Sequence, residues 1–575
     1  MRGMSDDRAS TSGPAGIDQE MDTIIFYLTA FAHIDGTYDE LEQRYIAQFI
    51  TKLVAYRVRV AMGDAPREAR DAETVRWVRF YQDLFVETEA TIQGYFTESV
   101  AEGENAHEFV FAKLKLRCYE LFGRFPREHQ EKLLLLAHEL MNADGEVHPN
   151  EASFHDDLRA LLDAQEPPSR VINEDDLEPI SIEPEDEETA GHLVIDPPQT
   201  LMSRVDDYEV FREFERPYAS EKTAFAPQAE KDLAIVTRAM AAFDAQRAVG
   251  RGKLAGAFDV AALADEKPFL DDYVYVLPPE PDKDYELLVL GDLHGCYSCL
   301  KAALMQADFF AKVDAHHLDP KKPAMKLVLL GDYIDRGHFG YQGVLRTILQ
   351  LYLMAPEHVY ILRGNHEYYV ELNGRVYGGV RPAESITALQ GIAEEDVFRA
   401  YKRLFETLPN MLLFGETLFV HAGIPRQDTL AEKWMDLSSL NDPEIRFQMM
   451  WSDPSEADFI PLDLQKASAR FPFGKKQWKS FMARLGCNLM LRGHERIVEG
   501  FRTIHADAEG TLLSLFSSGG ADNRDLPETS NYREVTPMAV LFRQKNHQVR
   551  LTPFALDWKK YNEPRYNKFF AERLG

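Results

Sequence analysis

The segment Tyr285–Gly295, which reads YELLVLGDLHG, decides the fold class of this chain. A mostly apolar run ends at Gly291 and is followed at once by a carboxylate, Asp292, and soon by an imidazole, His294. A short apolar run that ends at glycine is typical of a buried strand. Because α/β folds place ligands at the carboxyl ends of their strands, the polar residues after this run predict a functional site.

Four later segments repeat this arrangement of an apolar run that leads into polar side chains. They are VLLGDYIDRG (Val328–Gly337), ILRGNHE (Ile361–Glu367), LFVHAG (Leu418–Gly423) and LMLRGHE (Leu489–Glu495). Six polar side chains of the five segments are expected to bind metal, namely Asp292, His294, Asp332, Asn365, His421 and His494.

The number and type of these donors indicate the kind of metal site. Six donors exceed the four that a tetrahedral zinc ion accepts, and they suit two metal ions that share a bridging carboxylate. Carboxylate and imidazole ligands together suit manganese, iron or zinc better than calcium or magnesium. We therefore expect a two-metal centre of the kind that stabilises attacking and leaving oxygens in phosphoryl transfer.

The length and charge of the chain bound the class of protein. Its 575 residues predict about two to four domains, and its net charge of −30 argues against non-specific binding to nucleic acid or to anionic membranes. No apolar run approaches the roughly 20 residues of a membrane span, and the N-terminus lacks an apolar signal core. We therefore expect a cytoplasmic protein with no membrane span and no nucleic-acid partner.

The cysteines give no sign of a disulfide framework, because only four occur in the whole chain. This count fits a reducing cytoplasm. Cys296 and Cys299 form a C-x-x-C pair, a spacing that fits redox chemistry or zinc binding. No second pair exists to complete a zinc site, so we interpret these two residues as structural.

Residues 21–165 carry the periodicity of a helical domain, after an N-terminal tail, residues 1–20, that we expect to be disordered. Apolar side chains recur at spacings of three and four, as in Ile24–Phe31. The domain contains a weak repeat in which an Asp-Gly pair is followed by a Glu seven residues after the Asp. Its two copies are Asp35, Gly36 and Glu42, and Asp144, Gly145 and Glu151.

The same spacing occurs in the second half of an EF-hand loop, but Phe31 and Leu140 stand where the first calcium ligand would be. A turn between two helices explains the pattern more simply. The helical region resembles the TerB-like domain family, whose helices are joined by Asp-Gly turns with a following Glu. This resemblance covers about a quarter of the chain and implies an accessory module or a module that binds a protein partner, with a weak acidic metal site as a further option.

Residues 166–225 form an acidic, proline-rich stretch, exemplified by Glu183–Glu188, that we interpret as a solvated linker. The alternative is that this stretch occupies a positively charged catalytic groove and inhibits the enzyme. Residues 226–283 then predict a helical connector that leads into the next domain.

Strand and helix signals alternate over residues 284–555, and strand signals dominate after Leu489. This order predicts a mixed sheet or two packed sheets, flanked by helices. Residues 556–575 are expected to form a C-terminal tail. The expected fold class is therefore multidomain, with an α-helical N-terminal domain and an α/β domain built as a mixed two-sheet β-sandwich flanked by helices.

The motifs GDLHG, GDYIDRG and RGNHE, followed by HAG and RGH, resemble in their order the signature of the phosphoprotein phosphatase (PPP) family of calcineurin-like metallophosphoesterases. The resemblance covers residues 284 to 545. It implies a protein serine/threonine phosphatase that acts on a phosphoprotein or phosphopeptide. It also implies two divalent metal ions, manganese first with iron or zinc as alternatives, and in-line attack by a metal-activated water.

The resemblance assigns a role to each residue by its motif. The general acid is His366, which Asp335 orients, and the phosphate is bound by Arg336 and Arg470. The metal ligands are Asp292 and His294 for the first ion, Asp332 as the bridge, and Asn365, His421 and His494 for the second.

Two segments depart from the family pattern. Arg470 lies closer to Phe473-Gly474 than the family's arginine does, and Ser517–Asn523 replaces a family loop that reads SAPNYC. The tyrosine and cysteine of that loop are missing at this point. These departures look like a bacterial-type member of the family.

Several residues near the motifs have a simpler structural interpretation. Arg363 is expected to form an ion pair, Glu367 to hydrogen-bond locally, and His338 to lie in an exposed loop. The competing functions are a dinucleoside-polyphosphate hydrolase of the same fold, which shares GDxHG and GNH, and a non-catalytic scaffold. The intact DRG and NHE motifs favour the phosphatase over the first, and the complete ligand set argues against the second.

Overall fold

A computed structural model describes residues 15–33, 40–63, 65–96, 100–101, 105–141, 149–163, 193–203, 207–545 and 548–571. The chain divides into two compact units. The helical unit comprises Met1–Val100, Glu104–Pro179 and Lys466–Ser468, and the sheet unit comprises Ala101–Gly103, Ile180–Gln465 and Ala469–Gly575. Within the described ranges, no helix is long and apolar enough to cross a membrane.

The helical unit is built from helices that bury one apolar face each. Before residue 180 the chain forms α1 (Ala15–Ala32), α2 (Glu40–Met62), α3 (Arg67–Tyr95), the short strand β1 (Val100–Ala101), α4 (Ala106–Gly123), α5 (Arg127–Met141) and α6 (Pro149–Asp163). Phe122 and Phe154 lie in the core, and Tyr27 packs edge-on against Phe122 with ring centroids 5.1 Å apart. The Asn105 side chain caps α4 by accepting a hydrogen bond from the backbone N–H of His107.

One expectation for the N-terminus is wrong in part. Helix α1 begins at Ala15, inside residues 1–20 that we expected to be disordered. A helix needs only one apolar stripe, so polar residues near its start do not prevent it from forming. The two Asp-Gly pairs lie outside the described residues, so the TerB-like resemblance stays a prediction.

The sheet unit alternates strands and helices, as predicted. Its strands are β2 (Leu193–Ile195), β3 (Phe269–Asp271), β4 (Val274–Leu277), β5 (Tyr285–Leu290), β6 (Ala324–Leu329), β7 (Val359–Ile361), β8 (Tyr369–Leu372), β9 (Arg375–Gly378), β10 (Val380–Arg381), β11 (Met411–Phe414), β12 (Thr417–Val420), β13 (Leu489–Arg492), β14 (Phe501–Asp507), β15 (Gly510–Leu515), β16 (Met538–Lys545) and β17 (Gln548–Ala555). Its helices are α7 (Val210–Phe214), α8 (Lys222–Gly250), α9 (Tyr297–Gln306), α10 (Phe309–Leu318), α11 (Arg346–Met354), α12 (Glu384–Leu389), α13 (Glu395–Thr407), α14 (Gln427–Lys433), α15 (Pro443–Met449), α16 (Leu462–Lys466) and α17 (Lys475–Leu485).

Two mixed sheets form the centre of this unit. One has the strand order β2-β17-β16-β5-β6-β7, and the other has the order β14-β15-β13-β12-β11-β4-β3. Strands β5, β6 and β7 run parallel, as do β12, β13 and β15. Leu288 and Phe542 of the first sheet share a buried cluster with Phe419 of the second. The prediction of a two-sheet sandwich flanked by helices is therefore confirmed.

The topology also confirms why the polar motifs cluster. Asp292, Asp332 and Asn365 follow the carboxyl ends of the parallel strands β5, β6 and β7. His421 and His494 follow the ends of β12 and β13, which are parallel neighbours in the other sheet. Because parallel strands end at one edge of a sheet, each sheet presents its polar residues together.

The expectation of a linker over residues 166–225 is wrong for the second half of that range. Strand β2 pairs in parallel with β17, with Leu193 opposite Val549, and the two phenylalanines of α7 are buried. An edge strand is recruited through its main chain, which an acidic composition nearby does not reveal. Residues 193–225 therefore belong to the sheet unit, whereas residues 164–192 lie outside the described part of the chain.

The expected connector and C-terminal tail also belong to the sheet unit. Within residues 226–283, α8 stacks Phe243 on Tyr352 of α11 with ring centroids 4.3 Å apart, and β3 and β4 complete the seven-stranded sheet. Within residues 556–575, Tyr561 is fully buried. Buried aromatic side chains anchor both segments, so neither is a separate module.

Candidate active site

The metal-binding residues predicted from the five motifs converge on Asp332. Two groups of buried side chains share this aspartate, one with His294 and His366 and the other with His421 and His494, and their ligating atoms lie within 4.8 Å of one another in each group. One carboxylate oxygen of Asp332 lies 3.5 Å from Nε2 of His294, and the other lies 3.4 Å from Nε2 of His421. Asp332 thus occupies the position that a bridging ligand requires.

Backbone carbonyls fix which nitrogen each histidine presents to this centre. Nδ1 of His294 lies 3.1 Å from the carbonyl oxygen of Ile334, and Nδ1 of His421 lies 3.1 Å from that of Leu330. A carbonyl only accepts, so each Nδ1 carries the proton and each Nε2 offers its lone pair. His494 presents Nδ1 instead, which lies 3.2 Å from Nε2 of His421.

Burial keeps these imidazoles neutral. The pKa values of His294, His421 and His494 are held well below the usual histidine value, first by burial and then by nearby positive groups. The neutral imidazole is the form that binds a metal ion. The three side chains are therefore ready to act as ligands at neutral pH.

Asn365 and Asp292 carry oxygen atoms whose placement fits a cation. One terminal atom of the Asn365 side-chain amide lies 3.0 Å from Nε2 of His421 and 3.1 Å from both carboxylate oxygens of Asp332. Oδ2 of Asp292 is buried without a hydrogen-bond partner among the described residues and lies 3.7 Å from Nε2 of His294. A buried carboxylate oxygen is costly unless a hydrogen bond or a cation satisfies it, so the placement of Oδ2 of Asp292 fits a divalent metal ion.

The carboxylates of the site also indicate that it binds cations. Burial raises the pKa of Asp292 to about 7, and burial together with the charge of Asp292 raises that of Asp332. Burial likewise raises the pKa of Glu367 to about 7. Ionised carboxylates this close and this deep need positive charge beside them, which bound cations supply.

His366, a member of the first metal-binding group, also forms a dyad with Asp335. Its Nδ1 lies 2.8 Å from Oδ2 of Asp335, and its backbone N–H donates to Oδ1 of Asp332 at 3.0 Å. Burial and the charges of Arg336 and Arg470 lower the pKa of His366. The structure therefore brings the predicted acid, its orienting carboxylate and both predicted phosphate-binding arginines together.

The two arginines reach the site from different segments. Nη1 of Arg336 donates to Glu384 at 2.8 Å. Nη1 of Arg470 contacts Nε2 of His494 and lies 3.5 Å from Oδ2 of Asp453. Arg470 therefore adjoins a predicted metal ligand despite its unusual position in the sequence.

The backbone of the site is strained. Five non-glycine residues adopt positive φ angles there, namely His294 (41°), Asp332 (55°), Asp335 (63°), Arg336 (65°) and His494 (72°). Such conformations cost about 1–3 kcal/mol each and persist where the surroundings fix them. Glycines make room for the ligands, since a Cβ on Gly364 would lie 2.2 Å from Oδ1 of Asp332.

Glu367 fixes two of the motif loops by local hydrogen bonds, as expected. Its carboxylate accepts from the backbone N–H groups of Asp332 and Tyr333, both at 2.8 Å, and of Gly364 at 3.0 Å. The ion pair expected for Arg363 is not seen among the described residues, and its Nε donates instead to the backbone oxygen of Glu367 at 2.9 Å. Both side chains hold the loops rather than reach towards a substrate.

The sequence interpretation missed one aromatic residue of the site. Tyr532 stacks at a tilt on His294 with ring centroids 5.2 Å apart, and it contacts Arg336. The expectation that this region lacks a tyrosine was drawn from Ser517–Asn523 alone. The Asn531-Tyr532 pair, a short distance further along the chain, was the available signal.

The C-x-x-C pair is structural in this fold. Cys296 and Cys299 are fully buried, with their sulfur atoms 2.9 Å apart, and Nδ2 of Asn523 donates to Sγ of Cys296 at 3.0 Å. All four cysteines are free and buried. His338 is exposed, as expected for a loop residue.

Comparisons with known proteins point to phosphoesterases. Residues 285–496 match the family described as calcineurin-like phosphoesterase. The chain is 26% identical over 237 residues to a probable serine/threonine-protein phosphatase of Encephalitozoon cuniculi, a match that covers 40% of this chain and 47% of that protein. It is also 26% identical over 230 residues to the serine/threonine-protein phosphatase 6 catalytic subunit of Caenorhabditis elegans, covering 39% of this chain and 63% of that protein.

The matched region is therefore about half of the first relative and less than two thirds of the second. Among solved structures, a protein serine/threonine phosphatase from Saccharomyces cerevisiae, described as similar to human phosphatase PP5, matches at 16% identity with a TM-score of 0.36. That match covers 57% of this chain and 90% of the other.

Proposed function

We propose that this chain, whose residues 285–496 form a calcineurin-like phosphoesterase domain, is a metal-dependent protein serine/threonine phosphatase. The observation that carries the proposal is the pair of buried metal-binding groups that share Asp332, with the His366–Asp335 dyad beside them. A shared carboxylate suits two divalent ions, and a dyad suits protonation of a leaving group.

The residues divide into two ligand sets and a bridge. The first ion would be held by Asp292 and His294, the second by Asn365, His421 and His494, with Asp332 between them. Manganese suits this mixture of oxygen and imidazole donors, and iron or zinc would also fit. When bound, such ions supply the attacking water and offset the charge that develops on phosphorus in an in-line displacement.

His366 and the two arginines complete the reaction. Asp335 holds the proton on Nδ1 of His366. A bound phosphate would offset the arginine charges that lower the pKa of His366, so that Nε2 takes up a second proton and gives it to the departing serine or threonine oxygen. Arg336 and Arg470 bind the phosphate oxygens through paired N–H donors. The positive charge of both arginines favours a phosphate next to His366.

The dyad is also what favours a phosphomonoester over a dinucleoside polyphosphate. A polyphosphate leaves as a stable anion and needs little help from an acid, whereas a serine alkoxide leaves only if it is protonated. The 2.8 Å hydrogen bond between His366 and Asp335 supports an acid that is kept in place for the harder reaction. The full set of metal ligands speaks against a non-catalytic scaffold.

The proposal extends to the rest of the chain. We propose that the helical unit is a TerB-like accessory module that binds a protein partner, and that the enzyme is a bacterial-type, cytoplasmic member of its family. The net charge of −30 supports the absence of a nucleic-acid partner.

A direct comparison of substrates tests the proposed activity. The full-length protein with manganese is assayed against a phosphoserine peptide, a diadenosine polyphosphate and a free nucleotide at equal concentrations. We expect the phosphopeptide to be hydrolysed with the highest kcat/KM. Preferential cleavage of the diadenosine polyphosphate would assign the chain to the alternative class, and no turnover of any phosphate ester would overturn the proposal.

A further inference from the structure

Two adjacent residues of α12 hold two adjacent residues of the site. Ser385 holds Asp335, and Glu384 holds Arg336. The backbone N–H of Asp335 donates to Oγ of Ser385 at 2.8 Å, and the backbone N–H of Ser385 donates to Oδ1 of Asp335 at 2.8 Å. The contact is therefore reciprocal, and it fixes both the main chain and the side chain of Asp335.

The carboxylate of Asp335 is divided between two partners. Oδ1 accepts from Ser385, while Oδ2 lies 2.8 Å from Nδ1 of His366. Ser385 is buried, and its hydroxyl packs close to Gly340, where an added Cβ would lie 3.0 Å from it. Any rotation of the Asp335 carboxylate would break a hydrogen bond at one end or the other.

Glu384 holds the guanidinium of Arg336 in the same way. Nη1 of Arg336 donates to the two carboxylate oxygens of Glu384 at 2.8 and 3.0 Å, and to the backbone oxygen of Pro382 at 3.1 Å. These three contacts all fall on one terminal nitrogen of the guanidinium. They restrict the plane of the guanidinium.

Backbone strain explains why such support is needed. Asp335 and Arg336 both adopt left-handed backbone conformations, with φ angles of 63° and 65°. Neither residue is a glycine, so both conformations are strained. They persist only where the surrounding structure fixes them. The hydrogen bonds from Glu384 and Ser385 reach both residues from outside their own loop.

We infer that Ser385 and Glu384 are positioning residues, with Ser385 orienting His366 through Asp335 and Glu384 orienting Arg336 for the phosphate. The inference rests on the proposed phosphatase function, because it assigns the two residues to separate parts of that reaction. Neither residue is asked to touch the substrate. Ser385 therefore governs protonation of the leaving group, and Glu384 governs phosphate binding.

The Ser385 arm is tested with aryl phosphates of different leaving groups, which do not depend on a protein substrate. In Ser385→Ala we expect kcat for phenyl phosphate to fall about tenfold, and kcat for p-nitrophenyl phosphate, whose leaving group needs little protonation, to fall less than about twofold. Ser385→Thr, which keeps a hydroxyl, should restore most of the phenyl phosphate activity. Thr387→Ala, on the exposed side of α12, is the matched control. Equal losses on both esters would overturn the inference for Ser385.

The Glu384 arm is tested through binding. Glu384→Gln should raise the KM for p-nitrophenyl phosphate and the inhibition constant of inorganic phosphate by about fivefold, while kcat stays within about twofold. Glu384 is partly exposed, so the variant should fold normally. Unchanged KM and unchanged phosphate inhibition would overturn the inference for Glu384.

A structural readout separates failure of this inference from failure of the proposed function. In a crystal structure of Ser385→Ala, we expect the Asp335 carboxylate to have rotated out of hydrogen-bond range of Nδ1 of His366. An unchanged distance of 2.8 Å would overturn the positioning role whatever the activity. Wild-type protein that hydrolyses no phosphate monoester would instead overturn the proposed function.

Discussion

Asp332 is the residue on which both metal-binding groups depend, because it is the one acidic side chain they share. Asp332→Asn removes the charge at this point, and even the loss of an outer-shell partner of a metal site typically costs about 10–100-fold. We therefore expect manganese-dependent hydrolysis of p-nitrophenyl phosphate to fall more than about 100-fold. Bound metal, measured by elemental analysis, should fall with it.

The matched control for this prediction is Asp314→Asn, which changes an exposed aspartate on α10. It should leave both activity and metal content unchanged. Activity that survives Asp332→Asn, or that is unaffected when the metal is removed by a chelator, would contradict a two-metal reaction.

Replacing His366 is predicted to reduce turnover more strongly when the leaving group of the substrate is poorer. General acid catalysis contributes about 10²–10⁴-fold, so His366→Asn should reduce phosphoserine turnover by that order. Hydrolysis of p-nitrophenyl phosphate should be damaged much less. Steady-state kcat values for the two substrates provide the measurement, and equal losses would remove His366 from the role of acid.

How well these residues could be predicted depends on how far along the chain their partners lie. Asp292, His294 and Asp332 stand within short motifs, so their types and spacing are local information. The contact between Asp335 and Ser385 spans 50 residues, and its geometry follows from the path of the chain between them. No local pattern in α12 marks Ser385 as a partner of Asp335, so only the folded structure could show it.

Strands β6 and β7 are joined at their amino ends by a buried histidine that makes the sheet sensitive to acid. His358 precedes β7, and its Nδ1 donates to the carbonyl oxygen of Met325 in β6 at 2.6 Å. Burial, with further lowering by the charge of Lys326, reduces the pKa of His358 to about 4. In the unfolded chain the pKa of histidine is about 6.5. As the pH falls from 6.5 to 4, the unfolded state therefore takes up a proton, whereas the folded state does not.

Stability should therefore fall as the pH drops from 6.5 towards 4. We expect this histidine to lower the free energy of unfolding by about 2 kcal/mol between pH 7 and pH 5. Urea unfolding at the two pH values, for wild type and His358→Gln, measures the effect. The variant should lose that part of the pH dependence, and an identical pH dependence in both proteins would contradict the assignment.

Among the strands and helices, the sequence predicted those whose residues form a strong hydrophobic pattern. The strand predicted at Tyr285–Leu290 matches β5, because five of its six residues are apolar or strand-forming. Strand β2 has only three residues and pairs with β17 through its main chain, so its side chains carry no comparable signal. Segments of this kind are recognised only when the sheet they join is known.

The extent of the sheet unit decides which truncation of the whole molecule will fold. A protein that begins at residue 193 keeps β2, α7 and Glu215, whereas one that begins at 226 loses all three. Lys301 is fully buried and donates to Glu215 at 2.6 Å, and loss of one partner of a buried ion pair costs about 3–5 kcal/mol. We expect the longer form to be soluble and active, and the shorter form to aggregate or unfold at a lower temperature.

Soluble yield and thermal unfolding of the two truncated forms provide the measurement. Equal stability would show that residues 193–225 are not needed by the sheet. The longer form also tests the alternative role of the acidic stretch. Higher activity than the full-length protein would support inhibition by residues 1–192, and unchanged activity would contradict it.

The buried charge of Lys301 has a consequence for how the protein is made. Its partners come from both ends of the sheet unit, since Glu215 lies 86 residues before it and Tyr566, whose backbone oxygen accepts from it, lies 265 residues after it. At about 5–20 residues per second, a ribosome takes roughly 13–53 s to travel from Lys301 to Tyr566. The sheet unit therefore completes its fold only after Tyr566 has been synthesised, and the nascent chain needs protection from aggregation until then.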